Sequence, residues 1–201
     1  MRLVLLLAAL ALLVTGCATG GPPPPPSSTT TPAVPSDLTG NRVLTPARGM
    51  FSVEVPARFA DVPASAPEAA AVPPLARAIG QGAGVLAVDR RQGYSPTAGG
   101  YCTLVQSRDL PQLAAEAREA LQGSGAPVEA PEFTVLPATG PAGPRVSGTY
   151  RSTGNGRTLT VQQVAGLAGP GRACLLTVST DDAARDAGVL TTARDTFRMA
   201  G

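Results

Sequence analysis

The sequence predicts an α+β fold in which an antiparallel sheet is packed by helices. Three observations predict it. Asn155-Gly156, a dipeptide that tolerates positive φ, joins two runs rich in Val, Thr and Tyr and so marks a β-hairpin. Asp109 to Gly123 carries an apolar stripe at helical spacing. Along the chain, strands, a helix, further strands and a closing helix follow one another, a segregation that favours antiparallel pairing over βαβ winding.

The chain opens with Arg2, an unbroken apolar run from Leu3 to Val14, and the small residues Thr15 and Gly16. That is the outline of a secretory signal over residues 1–16. As a helix the run would be about 18 Å long at ~1.5 Å per residue, short of a hydrocarbon core of ~30 Å, so a permanent span is not expected. Val14-Thr15-Gly16-Cys17 resembles the lipobox of bacterial lipoproteins. The resemblance implies diacylglyceryl transfer to the Cys17 thiol, cleavage before it and acylation of the freed amine. The alternative is ordinary signal cleavage and a secreted chain with a free Cys17. Two or more acyl chains give stable anchoring where one does not, at ~0.8 kcal/mol per buried methylene.

From Cys17 to Gly40 no apolar periodicity is present. Gly20-Gly21, Pro22 to Pro26, Ser27 to Thr31, Pro32 and Pro35 compose a stretch that buries too little surface to offset its ordering entropy, so a disordered linker is expected. Extended polyproline II at ~3.1 Å per residue would give it a reach of up to roughly 70 Å. Its Ser/Thr cluster beside proline reads either as an O-glycosylated stalk or as a bare spacer.

The rest, residues 41–201, has the length of one globular domain able to bury a core. Within it Gly49 to Pro56 alternates Phe51, Val53 and Val55 with Ser52 and Glu54, a half-buried strand stopped by proline. Arg58 to Pro74 is rich in Ala and Pro, with a helical turn expected near Pro74 to Ile79. Ala83 to Arg91 reads as a second strand, and Tyr101 to Ser107 as a third, entered through a Gly99-Gly100 turn. Asp109 then caps a helix with Pro111 in its first turn and Gln112 at capping-box spacing. Leu110, Leu113, Ala117 and Leu121 share its core face, and Gly123 ends it. Glu132 to Pro137 is a strand, Pro144 to Gly166 the hairpin, and Ala173 to Thr180 a last strand. Thr180 or Asp181 caps a final helix to about Met199, with Leu190, Ala193 and Phe197 at core spacing.

The opening strand Gly49-Met50-Phe51-Ser52-Val53-Glu54-Val55-Pro56, the late hairpin, the final strand and a helix ending Thr196-Phe197-Arg198 together resemble the Mog1/PsbP-like α/β/α sandwich, including actinobacterial lipoproteins of that fold. The family often places Trp soon after the first strand's proline, where this chain has Phe59. Its members range from photosystem accessory subunits to nuclear transport factors and envelope lipoproteins, so the resemblance implies a fold and no activity. A second resemblance is to the disulfide-bearing extracellular sensor domains of actinobacterial kinases.

Chemistry is bounded by what is missing. All 16 basic residues are Arg, set against 14 acids for a net charge of +2, which is no footprint for nucleic acid or anionic lipid. Such usage, with abundant Ala, Gly and Pro, fits GC-rich coding. There is no histidine, the commonest general base and metal ligand. No nucleophile elbow, Walker loop or dinucleotide fingerprint occurs, and the glycines of "STGNGRT" suit a hairpin turn better than a phosphate cradle because no helix follows them. Export permits disulfides, and with Cys17 spent on lipid, Cys102 and Cys174 remain as a pair. A bridge between them is expected, two separate buried thiols being the other reading. Two thiols are too few for a metal site. Asp181 and Asp182 are candidates for cation binding or acid/base work, with helix capping as the plainer role. Scarce aromatics argue against carbohydrate stacking surfaces.

The expectation is therefore a lipid-anchored accessory protein at the extracytoplasmic face of the cell membrane, without catalytic, metal or cofactor residues. Its partner would be another envelope protein, met by the Gly/Pro-rich loops Gln92 to Gly100 and Leu136 to Arg145. The alternative is a small hydrophobic ligand or lipid held in an apolar pocket between sheet and helices. A hydrolase built on Asp181 or Asp182 is the third class.

Overall fold

A computed structural model describes residues 40–90, 96–124, 127–139, 142–154 and 157–200. The expected signal over residues 1–16, Cys17, the expected linker apart from Gly40, and Asn155-Gly156, where the hairpin turn is expected, lie outside the described residues. The elements run β1 (Asn41–Leu44), β2 (Phe51–Pro56), β3 (Ala60–Asp61), α1 (Pro67–Ala70), α2 (Pro73–Gly80), β4 (Gly84–Val88), β5 (Thr97–Leu104), α3 (Leu110–Gln122), β6 (Val128–Leu136), β7 (Arg145–Gly154), β8 (Arg157–Leu167), β9 (Arg172–Thr180), α4 (Ala187–Thr196) and β10 (Arg198–Met199).

Seven strands form one sheet in the order β3-β4-β5-β9-β8-β7-β6, every pairing antiparallel. Strand alternation sends side chains to opposite faces, and each face has its own apolar cluster. On one, Leu86, Tyr101, Val161 and Leu175 meet Leu75 of α2 and Leu113, Ala117 and Leu121 of α3. On the other, Val85, Ala98, Val164, Leu176 and Val178 meet Phe51, Val53 and Val55 of β2 and Val189, Leu190, Ala193 and Phe197 from the closing helix. A small sheet, β1-β2-β10, carries β2 onto this second face. The architecture is thus an antiparallel sheet between two covering layers, α+β as expected.

Helix α3 begins where the sequence places it. The Asp109 carboxylate accepts from the Gln112 amide at 2.8 Å, and Gln112 Oε1 reaches back to the Arg108 amide at 2.9 Å, satisfying donors that a helix start leaves open. Leu113, Ala117 and Leu121 are buried and Gly123 occupies the C-cap.

Asn41–Leu44, given no element from the sequence, is strand: it pairs with Val53–Pro56 of β2, and that pairing rather than its own four residues dictates the conformation. Three local expectations need correction. Gly99 and Gly100 are not a turn but lie inside β5. A Cβ on Gly100 would stand 2.8 Å from the Leu175 carbonyl oxygen and 3.0 Å from the Phe51 ring, so glycine is there to let β2 approach the sheet. β6 begins at Val128, four residues before its expected start, passing through Pro131 by a register shift between Glu129 and Glu132. The last helix starts at Ala187, not at Thr180 or Asp181, and stops at Thr196, because Phe197 turns extended and lets Arg198 and Met199 pair with Ser52 and Phe51.

Candidate functional site

Each residue singled out from the sequence has a definite place. Cys17 lies outside the described residues. Cys102 and Cys174 stand directly opposite in the β5–β9 pairing and are joined through sulfur, with Cα atoms 3.9 Å apart. Asp181 and Asp182 precede the final helix rather than cap it. Asp182 caps a preceding turn by accepting from the Arg185 amide at 2.9 Å, while the Arg185 guanidinium lies 3.4, 3.9 and 3.5 Å from Asp181, Asp182 and the buried Asp186. Thr180 donates to Asp186 at 3.0 Å. These carboxylates are gathered around one guanidinium, which is a structural arrangement rather than a facing acid/base pair. Among the described residues no group of three or more His, Cys, Asp and Glu stands together as a metal site.

The first contact loop expected from sequence is corrected in part. Residues 91–95 lie outside the described residues, whereas Thr97–Gly100 belong to β5 and Ala98, Gly99 and Gly100 are buried. The second loop is exposed at Pro137, Ala138, Gly143 and Pro144 but is held by a residue that sequence reasoning missed. Arg145 is buried; its Nε donates to the Arg194 carbonyl at 2.9 Å and its Nη1 to Thr139 Oγ1 and the Gly143 carbonyl, both at 3.3 Å. The Arg194 carbonyl belongs to the last turn of α4, where the helix leaves acceptors open and a cation is favourable.

The apolar pocket expected between sheet and helices has little volume. Where Leu113 and Ala117 of α3 face Phe133, Val146 and Leu175, the enclosed space is about 10 Å³, which one water would fill.

A different cavity lies on the second face. Directly opposite residues of an antiparallel pair share a face, so Ser147, opposite Val164, and Thr134, opposite Ser147, continue the row that starts in the second core cluster. The next row is Glu132, Thr149 and Gln162. Past Val164, therefore, this face turns from apolar to polar. There an open cleft of about 250 Å³ runs over β6, β7 and β8, with Arg194 at its α4 side. Gln162 organises its floor. Its amide nitrogen donates to Ser147 Oγ at 2.9 Å and to the Gly148 carbonyl at 3.0 Å, and its amide oxygen accepts from Thr149 Oγ1 at 2.7 Å. Arg194 Nε and Nη2 hold Asp195 at 2.7 and 3.1 Å, and this hydrogen-bonded guanidinium keeps the Asp195 carboxyl below its usual range. One signal could have revealed the cleft: the Asn155-Gly156 dipeptide, taken as a two-residue turn, would set Gly154 opposite Arg157 and, by counting outward, Thr149 opposite Gln162, the register the strands adopt.

These features define a class, an antiparallel α+β sandwich with little space beneath α3 and, among the described residues, an uncovered polar stretch of sheet over β6, β7 and β8. No family model matches the sequence, and no curated protein matches it. Among solved structures, the chain is similar to cyanobacterial PsbP (CyanoP) from a Synechocystis species, at 10% identity and a TM-score of 0.44 over 85% of this chain and 99% of that one. It is likewise similar to LpqN, involved in cell envelope biogenesis of Mycobacterium tuberculosis, at 14% identity and a TM-score of 0.46 over 81% of this chain and 91% of that one.

Proposed function

We propose that this chain is a non-catalytic accessory protein of the cell envelope, held at the extracytoplasmic face of the membrane by lipid on Cys17, with a folded part that docks onto another envelope protein. The observation that carries the reading is the sequence Val14-Thr15-Gly16-Cys17 at the end of an apolar run, followed by a proline-rich spacer. The docking role is supported by the close packing between α3 and the sheet: about 10 Å³ there is far below the roughly 300 Å³ at which pockets begin to hold small molecules. Absence of histidine and the gathering of Asp181 and Asp182 around Arg185 support a role without catalysis.

The test is made on protein recovered from its native host. Intact mass should show a chain beginning at Cys17 and carrying acyl groups, and Cys17→Ala should move the protein from the membrane fraction to the medium. An unmodified thiol at Cys17 on a freely secreted chain would overturn the anchoring. Native mass spectrometry of the membrane-extracted form then separates the roles: a stoichiometric protein supports docking, and a lipid or hydrophobic metabolite retained in its place overturns it.

A further inference from the structure

We propose that the cleft over β6, β7 and β8 binds one neutral saccharide ring. A sugar hydroxyl both donates and accepts, and the cleft offers both functions already oriented. Gln162, itself only 5% exposed, spends its amide on the floor and thereby sets the hydroxyls beside it. Thr149 Oγ1 gives its proton to Gln162 and presents its lone pairs, whereas Ser147 Oγ accepts from Gln162 and keeps its proton to donate. Glu132 adds a carboxylate acceptor from β6, and Arg194, whose Nε and Nη2 hold Asp195, adds a guanidinium from α4.

Charge selects among polar ligands. Glu132 and Arg194 are the two charged groups lining the cleft, and Asp195, which holds Arg194, also lies 3.7 Å from Arg145, so two carboxylates and two guanidinium groups balance and neither an anion nor a cation gains from the site as a whole. Volume selects among neutral ones: about 250 Å³ is below the range typical of drug-sized ligands and suits a single pyranose ring. No aromatic side chain lines the cleft, so the grip comes from hydrogen bonds alone and the expected Kd is about millimolar. The site does not depend on how the chain is anchored.

The experiment uses the full ¹⁵N-labelled chain in a detergent free of sugar headgroups. Glucose, galactose, mannose and arabinose are each titrated to about 50 mM, a range that reports millimolar binding. At least one should shift the amides of Ser147, Gly148, Thr149 and Gln162 saturably. Thr149→Val keeps a β-branched residue on an exposed strand position and should weaken that sugar roughly three- to tenfold, the loss of one hydrogen bond. Glu132→Gln should weaken it too. The proposal fails if none of the four sugars moves those amides, or if Thr149→Val binds as tightly as the parent. It also fails if glycine betaine, a zwitterion without hydroxyls, shifts the same amides more strongly than any sugar.

Discussion

At the scale of single residues, close approach is what the sequence hides. Gly148 sits in the middle of a β-rich run where any strand-former would satisfy the pattern, yet a Cβ there would lie 2.5 Å from two atoms of the Phe133 ring on the neighbouring strand. Phe133 covers the glycine and meets Tyr150 with ring centroids 6.4 Å apart. Gly148→Ala must therefore push the ring, an overpacking cost of about 1–3 kcal/mol, and should lower Tm by roughly 2–4 °C per kcal/mol. Calorimetry checks it, and Phe133→Leu placed in the same background should recover part of the loss, since residues in contact do not add. A Gly148→Ala protein melting with the parent would show that the ring has room to move. The same blindness explains Gly100, which local sequence presents as a turn, and Arg145, whose burial follows from a helix end 49 residues away.

At the scale of elements, what repeats locally was legible and what depends on a distant partner was not. The stripe and caps of α3 are written in consecutive residues and match the structure. β1 owes its form to β2, and the late start of α4 owes to Thr180, Asp182 and Asp186 bonding among themselves before the helix begins. The polar cleft was hidden for a related reason, because its two rows come from three strands whose register only pairing reveals. In the sheet order, β3-β4-β5 and β9-β8-β7-β6 meet solely at the β5–β9 seam, and Cys102 and Cys174 bridge it. A bridge over a separation of 72 residues restricts the unfolded chain by about 4 kcal/mol in the chain-entropy model. Reduction should thus shift the urea midpoint downward by an amount equivalent to roughly 2–4 kcal/mol. Cys102→Ala/Cys174→Ala should behave like the reduced parent, and a midpoint unmoved by reduction would show that strand pairing alone holds the seam.

At the scale of the whole molecule, composition makes stability a readout of tyrosine. The chain has no histidine, its 16 basic residues are all Arg, and Cys102 and Cys174 are bonded, so among the described residues only tyrosine titrates between the carboxylate range and that of Arg. Tyr101 and Tyr150 are the described tyrosines, and both are buried. Burial pushes the Tyr101 hydroxyl up to about 12 and raises Tyr150 as well, because each would ionise away from water. The folded form therefore holds its protons to higher pH than the unfolded form, whose tyrosines release them near 10. Stability should be level through neutral pH, fully present below about pH 10, and fall as pH rises through 10 towards 12, by about 1.4 kcal/mol for each unit of upward shift. Urea unfolding at a series of pH values gives that curve, and absorbance at the tyrosinate band should show two phenols ionising only as the fold is lost. Tyr150→Phe sharpens the test. Its hydroxyl is buried without a hydrogen-bond partner among the described residues, so removing it should cost little at neutral pH or stabilise by up to about 1 kcal/mol, while flattening the alkaline decline. If all three tyrosines of the chain ionise near their ordinary value in the folded protein, the two cores do not exclude water as this packing requires.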